Sequence, residues 1–302
     1  MDYCTVTIDV NINQEVSSIE DSHDSLTLKI KEMLCTRGDK TALSELGRKG
    51  RTDYSYRQLW EESSKLSMWL RSEGLKGKGI GVLGDNSCLM LVVTFASWLS
   101  GNYVIFFDKF WNKKEFSYSV NHSDCEYFFI QKTYLSLVEG NSDIGSLKVF
   151  RFDEIKDYVN GELHTEEPAD TRIGFMDDDR ALVLFSSGTT DMQKAICVSR
   201  KAVVSRFVIQ SGLFNFPVPD TLLSLPMYHS WGFNTCMAGL NQGKRVFLNI
   251  SFKYLIRDIY EVRPPFLCML PSQVPQVMDA FREKGKPYPT NRIVIGGVAA
   301  QP

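Results

Sequence analysis

The sequence lacks a charge excess of either sign: 34 Lys and Arg stand against 36 Asp and Glu, a net charge of -2. Binding nucleic acid by neutralising phosphates needs a basic surplus or a basic stripe, and neither is present. Histidine is scarce, with four residues at positions 23, 122, 164 and 229, and no two stand at metal-ligand spacing. His122 and Cys125 are three apart without a third or fourth donor nearby, so no metal centre is expected. The seven cysteines are scattered and form no C-x-x-C pair. That is the pattern of reduced thiols in a cytoplasmic protein rather than a disulfide framework. The first 24 residues have neither a basic start nor an apolar stretch, and a secretory leader is not expected. The most membrane-like run, 89–107, is interrupted by Ser97, Ser100, Gly101 and Asn102. It reads as a buried helix followed by a buried strand, not as a membrane span. Fixed-period repeats and low-complexity runs are missing as well.

What is present is core material. Apolar residues make up 43% of the chain and aromatic residues 12%, which excludes whole-chain disorder. A length of 302 residues suits about two domains or one large α/β domain. Ser55-Tyr56-Arg57-Gln58 is a capping box, followed by Leu59, Leu66 and Leu70 on one helical face. Gly74, Gly77 and Gly79 end that helix. A short buried strand over 79–83 follows, and Asp85 or Asn86 is the expected cap of a helix carrying Leu89, Val92, Val93 and Ala96. Strands are predicted over 103–107, 127–130, 147–152, 181–185, 222–225, 245–248, 266–270 and 292–295. Helices are predicted over 113–120, 201–211, 253–261 and 274–283. Strands apolar at every position and separated by helices require a parallel sheet covered on both faces. The acidic stretch 153–179 reads as a connection. The expected architecture is α/β with two sheet-and-helix lobes: a tail over 1–23, a first lobe over 24–170 and a second over 171–302.

Three segments carry candidate chemistry. Ser186-Ser187-Gly188-Thr189-Thr190-Asp191-Met192-Gln193-Lys194 follows an apolar strand. Its backbone N–H groups can form an anion nest, and Lys194 adds a point charge for a phosphate. It is not a Walker A loop, since no glycine directly precedes Lys194. Pro226-Met227-Tyr228-His229-Ser230-Trp231-Gly232 places a histidine and a tryptophan where a strand ends, as at the mouth of a pocket. Gly296-Gly297-Val298 follows the last strand, where glycine lets backbone approach a ligand closely. In isolation each has a plainer reading: a Ser/Thr/Gly loop with an incidental lysine, a structural histidine, a turn.

Taken in order, these segments resemble the adenylate-forming (AMP-binding) superfamily of acyl- and aryl-CoA synthetases, adenylation domains and luciferases. The family's phosphate loop, T-S-G-T-T-G-x-P-K-G, is matched here by S-S-G-T-T-D-M-Q-K-A. Its P-x-x-H-x-x-G marker matches residues 226–232, and its later Gly-Gly is similar to Gly296-Gly297. Residues 38–43 resemble the family's opening strand, 54–59 its Y-T-Y-x-E-L helix start, and 85–108 its N-S helix with the strand after it. The resemblance runs from about residue 24 to the end. It implies the large N-terminal domain of such enzymes, with the C-terminal domain absent.

The resemblance also implies a chemistry. A carboxylic acid, aryl or fatty rather than an amino acid, would be activated by ATP and Mg²⁺ to acyl-AMP and passed to coenzyme A or a carrier-protein phosphopantetheine. Ser186, Ser187, Gly188, Thr189, Thr190 and Lys194 would hold the phosphates, and Gly296 and Gly297 would line the adenine site. His229 would sit beside the acid, with Trp231 and Asn234 near its acyl part. Asp191, Gln193 and Ala195 replace the family's glycine, proline and glycine, and Ser199-Arg200 stands at its Thr-His pair. The family's later magnesium- and ribose-binding segments have no counterpart before Pro302. Completion by further chain or by a second polypeptide is therefore expected. The alternative is a degenerate, non-catalytic ligand-binding or scaffold member of the same family. An α/β hydrolase is disfavoured, because no G-x-S-x-G elbow occurs.

Overall fold

The structure, a computed structural model, describes residues 24–48, 50–155, 157, 175–186, 193–213, 220–283 and 292–295. Within them the strands form two six-stranded sheets. β1 (Thr41–Leu46) and β2 (Arg51–Ser55) join β9 (Thr221–Leu223), β10 (Val246–Asn249), β11 (Phe266–Met269) and β12 (Arg292–Ile295) in one sheet, ordered β12-β11-β9-β10-β1-β2. The other contains β3 (Gly79–Leu83), β4 (Tyr103–Phe106), β5 (Cys125–Ile130), β6 (Lys148–Arg151), β7 (Arg180–Ser186) and β8 (Lys194–Ser199), ordered β6-β5-β3-β4-β7-β8. All neighbours are parallel except the pairs β1–β2 and β7–β8.

Alternation along each strand decides which helices cover which face. Ile80, Val82, Val104, Phe106, Phe129 and Leu182 share one core with Leu43, Leu223, Val246, Leu248 and Phe266 of the opposite sheet. Between the sheets, and in that same core, lie α1 (Ser25–Cys35), α2 (Tyr56–Ser72), α3 (Cys88–Leu99), α5 (Arg200–Leu213) and α6 (Ser230–Asn241). The other faces are covered separately, one by α4 (Lys113–Asn121) through Phe116 and Val120, the other by α7 (Leu255–Val262) and α8 (Val274–Glu283). The result is five layers, helix–sheet–helix–sheet–helix, and it explains why most strand positions are apolar. The central helix α3 is buried on every side apart from Leu89. At 12 residues it is about 18 Å long, and no helix among the described residues is long and apolar enough to cross a membrane.

Sheet membership does not divide at residue 170. β1 and β2 pair with strands made after residue 220, while β7 and β8 complete the sheet begun by β3. Parallel pairing of β1 with β10, Leu43 against Val246, places the early hairpin on the later sheet. The capping box at Ser55 and Gln58 forms as expected. The cap of α3 is Ser87, whose hydroxyl accepts the Met90 N–H at 3.2 Å, and not Asp85 or Asn86. Those two side chains are committed elsewhere, Asp85 to Lys109 and Tyr134, Asn86 to the backbone of a neighbouring loop. Gly101 ends α3 at φ +78°, and a Cβ there would come within 1.8 Å of the Phe175 ring, so only glycine fits.

Arg200 is 1% exposed and opens α5. Its guanidinium pairs with Asp24, the cap of α1, at 2.6 Å, and donates to Thr27 Oγ1 at 2.9 Å and the Trp98 carbonyl at 3.3 Å. Three inner-layer helices are tied at one point. Removing one partner of a buried pair leaves the other uncompensated. Arg200→Met should therefore lower the unfolding free energy by about 3–5 kcal/mol, read from the urea midpoint. A loss below about 0.5 kcal/mol, the level of an ordinary surface change, would deny the residue this role.

Candidate functional site

In parallel sheets the C-terminal ends of the strands open onto the crevice where ligands bind. Here those ends meet from both sheets. Asn86 follows β3, Asp108 follows β4, residue 186 ends β7, and Leu225 to His229 follow β9. Asn86 is 5% exposed and spans the gap between the sheets. Its Nδ2 donates to the Leu225 carbonyl at 2.9 Å, and its Oδ1 accepts the Met227 N–H at 2.8 Å. A single amide thus fixes the segment leading to His229.

His229 is the N-cap residue of α6, yet its side chain makes no cap hydrogen bond. Its own N–H donates to the Pro226 carbonyl at 3.2 Å, and its carbonyl accepts the Phe233 N–H at 3.0 Å. The ring is thereby aimed away from the helix. Gly232 makes this possible, because a Cβ there would lie 2.1 Å from the Pro226 oxygen. The spacing of Pro226, His229 and Gly232 is a packing requirement of one tight turn.

The imidazole faces a cavity of about 180 Å³, whose walls include Phe106, Trp111, Phe185 and Tyr228. Asp108 and Glu115 bring carboxylates to the same cavity. His229 Nε2 lies 3.8 Å from Asp108 Oδ2. The His229 side chain is still 52% exposed. Its partial desolvation against these walls lowers its pKa from the ordinary value, and the Asp108 carboxylate offsets part of that. Tyr228 is buried, and burial with Asp108 beside it pushes its phenol well up, so it stays a neutral donor. Behind it, Asp85 pairs with Lys109 and accepts the Tyr134 hydroxyl at 2.8 Å and Gln131 Nε2 at 3.2 Å.

Ser186 and Lys194 are register partners at the foot of the β7–β8 hairpin. Residues Ser187, Gly188, Thr189 and Thr190, between the two strands in sequence, lie outside the described residues, as do Gly296 and Gly297. Phe185 and Gln193, on either side of 187–190 in sequence, line the cavity that His229 faces. The hairpin feet and the histidine, separate in sequence, are therefore neighbours. Lys194 is exposed at the head of β8. Trp231 packs against the inner core, and Asn234 Nδ2 donates to Ser230 Oγ at 3.2 Å; neither lines this cavity. From sequence, neither Asp108 nor Glu115 is named as a site residue, and Asn86 is named only as a candidate helix cap. The available signal for Asp108 was its place as the first charge after the apolar run 103–107.

A larger cavity of about 490 Å³ lies at the opposite edge of the sheet, beside the starts of β3, β4 and β7. Two ion pairs stand on its wall, Arg180 with Asp124 at 3.1 Å and Lys78 with Glu126 at 2.7 Å. It is remote from His229. Among the described residues, no group of three or more His, Cys, Asp or Glu side chains is placed to hold a metal ion.

Comparison with known proteins adds an independent line. The family model described as AMP-binding enzyme matches residues 32–302. A probable CoA ligase of Humulus lupulus, CCL5, is 25% identical over 240 residues, covering 72% of this chain and 42% of that protein. The 2-succinylbenzoate–CoA ligase of Staphylococcus aureus (strain MRSA252) is 24% identical over 270 residues, covering 82% of this chain and 53% of that one. This chain thus spans about half the length of the curated relatives it matches. The fold is similar to that of the O-succinylbenzoate coenzyme A synthetase from Bacillus subtilis solved in complex with AMP. The TM-score is 0.71 at 16% identity, covering 89% of this chain and 67% of that one.

Gly232→Ala should force the Pro226–His229 turn apart and destabilise the protein by about 1–3 kcal/mol, the usual range for overpacking. Thermal unfolding measures the loss. An unchanged midpoint would mean that the turn yields freely and that the Pro226–Gly232 contact does not fix His229.

Proposed function

The chain belongs to the AMP-binding enzyme family, and from that premise we propose that it activates a carboxylic acid with ATP for transfer to a thiol. In the first step an oxygen of the acid's carboxylate bonds to the α-phosphorus of ATP. The bond to the leaving phosphate breaks, giving acyl-AMP and pyrophosphate. In the second step the sulfur of a thiol, of coenzyme A or of a carrier-protein phosphopantetheine, bonds to the acyl carbon as it loses its proton to solvent. The carbon–oxygen bond breaks, so that AMP departs with the electron pair. Both steps are accelerated chiefly by positioning and by neutralising charge that develops on oxygen.

The observation that carries this reading is the convergence of the hairpin feet and His229 on one cavity. Residues Ser186 to Thr190 and Lys194 would hold the phosphates, with Lys194 as the fixed cation. His229 would meet the acid's carboxylate beside the α-phosphate, and Gly296 and Gly297 would line the adenine. The four aromatic walls suit an aryl or fatty acid better than an amino acid. The resemblance sets Trp231 and Asn234 near the acyl part of the acid. Both stand on the first turns of α6, outside the cavity that His229 faces, so they would reach only an acid that extends beyond it. Magnesium would accompany ATP, and no described residue is assigned to it. Partners would be the acid, the thiol acceptor and the remaining part of the catalytic machinery, on further chain or on a second polypeptide.

Calorimetry of ATP·Mg²⁺ with the chain, alone and with aryl and fatty acids, tests the reading. The expected outcome is nucleotide binding that tightens with one acid class. Lys194→Ala should weaken ATP binding by roughly tenfold or more, the worth of a charge-assisted contact. Equal affinity in the folded variant would remove Lys194 from the phosphate site, and no nucleotide binding by the unsubstituted chain would overturn the activation reading.

A further inference from the structure

We propose that Asp108 is a positioning residue for His229, holding the imidazole by its Nε2 edge and raising its affinity for a proton across the junction of the two sheets. The inference rests on the activation reading for its purpose, since it concerns the histidine assigned to the acid, but not for its test. Asp108 is fixed from its own side. Its Oδ1 accepts the Phe110 N–H at 2.9 Å, and its side chain is only 20% exposed. That leaves Oδ2 toward His229 Nε2, 3.8 Å away, which is within ion-pair reach but beyond a direct hydrogen bond. The Tyr228 phenol lies beside the same carboxylate, which helps push its pKa up. The His229 backbone is fixed from the other side, through Pro226, Gly232 and the Asn86 amide, while its side chain is 52% exposed.

The chemistry follows from the donor inventory of imidazole. A ring that keeps its Nε2 proton toward a carboxylate presents Nδ1 as the lone-pair nitrogen, and it becomes a donor at both nitrogens when a second anion arrives. Asp108 therefore prepares His229 to take up a proton as an anionic acid approaches, against the burial that opposes it. Other groups face this ring as well. Glu115 on α4 shares the cavity, Arg206 on α5 donates to Ser230 Oγ at 3.2 Å next to His229, and Lys194 stands at the hairpin foot. The Asp85–Lys109 pair and Tyr134 lie behind Tyr228. Asp108 is the carboxylate within ion-pair reach of the imidazole nitrogen.

The test is an NMR titration of His229 in the full chain, without nucleotide or acid. In Asp108→Asn, which keeps an oxygen for the Phe110 N–H, the midpoint should fall by about one pH unit, a tenfold loss of proton affinity. Asp108→Glu should recover part of it, and Glu115→Gln should move it less than Asp108→Asn does. An unchanged midpoint in a variant with an otherwise overlaid amide spectrum would overturn the proposal. Should Asp108→Asn fail to fold, the unsubstituted chain still decides: the Asp108 carboxyl carbon should show a step at the His229 midpoint, and its absence would overturn the proposal equally. Neither readout involves ATP, so failure of nucleotide binding refutes the activation reading and leaves this contact standing.

Discussion

The arrangement of the site depends on one side-chain amide. Asn86 leaves the end of β3 in one sheet and satisfies both a carbonyl and an N–H of the loop after β9 in the other. It is buried, so each of its bonds replaces one that water cannot supply. Two sheets that share a helical layer could otherwise slide along it, because apolar packing is not directional. The amide gives the packing a register. His229, Tyr228 and Asp108 then fall within reach of one another, although they belong to different sheets.

A second constraint lies in the turn after β9. The chain must reverse from a buried strand into a buried helix within a few residues, and Gly232 does so by passing beneath the Pro226 carbonyl. The histidine between them is held in an extended conformation at the helix start, φ -106° and ψ 145°, with its ring free for the cavity. A motif that reads as a catalytic signature is also a folding signature, and the two demands coincide on the same residues.

Much of this was legible in the sequence, for identifiable reasons. Runs such as 79–83 and 103–107 are apolar at every position because both faces of the sheet are covered, and they show as strands without help from neighbours. The Ser55–Gln58 box marked the start of α2 because its residues have a local mechanism. α6 was hidden: it contains two glycines, a threonine and two asparagines, and it is held by tertiary burial rather than propensity. β8 was hidden for the opposite reason. Its run Ala195-Ile196-Cys197-Val198 is apolar, but it is short and directly follows the Ser/Thr/Gly loop, and positions 194–197 lie exposed on an edge strand rather than in the core. The partnership of Asp108 with His229 was out of reach of any local reading, since it arises only where β4 and β9 end side by side.

The interleaving of the sheets bears on how the chain comes to be folded. The sheet built from β3 to β8 is drawn from one continuous stretch, and its strand set is complete once Ser199 has been made. The other sheet is not continuous. β1 is made early, but its parallel neighbour β10 appears only when most of the chain exists, with Leu43 waiting for Val246. During synthesis from the N-terminus, the early β1–β2 hairpin must carry its apolar residues unprotected while the other sheet assembles around α3. Long-range pairing of this kind slows folding and lengthens the exposure of strand edges. The order in which the ribosome releases the strands thus leaves the earliest hairpin longest without its parallel neighbour.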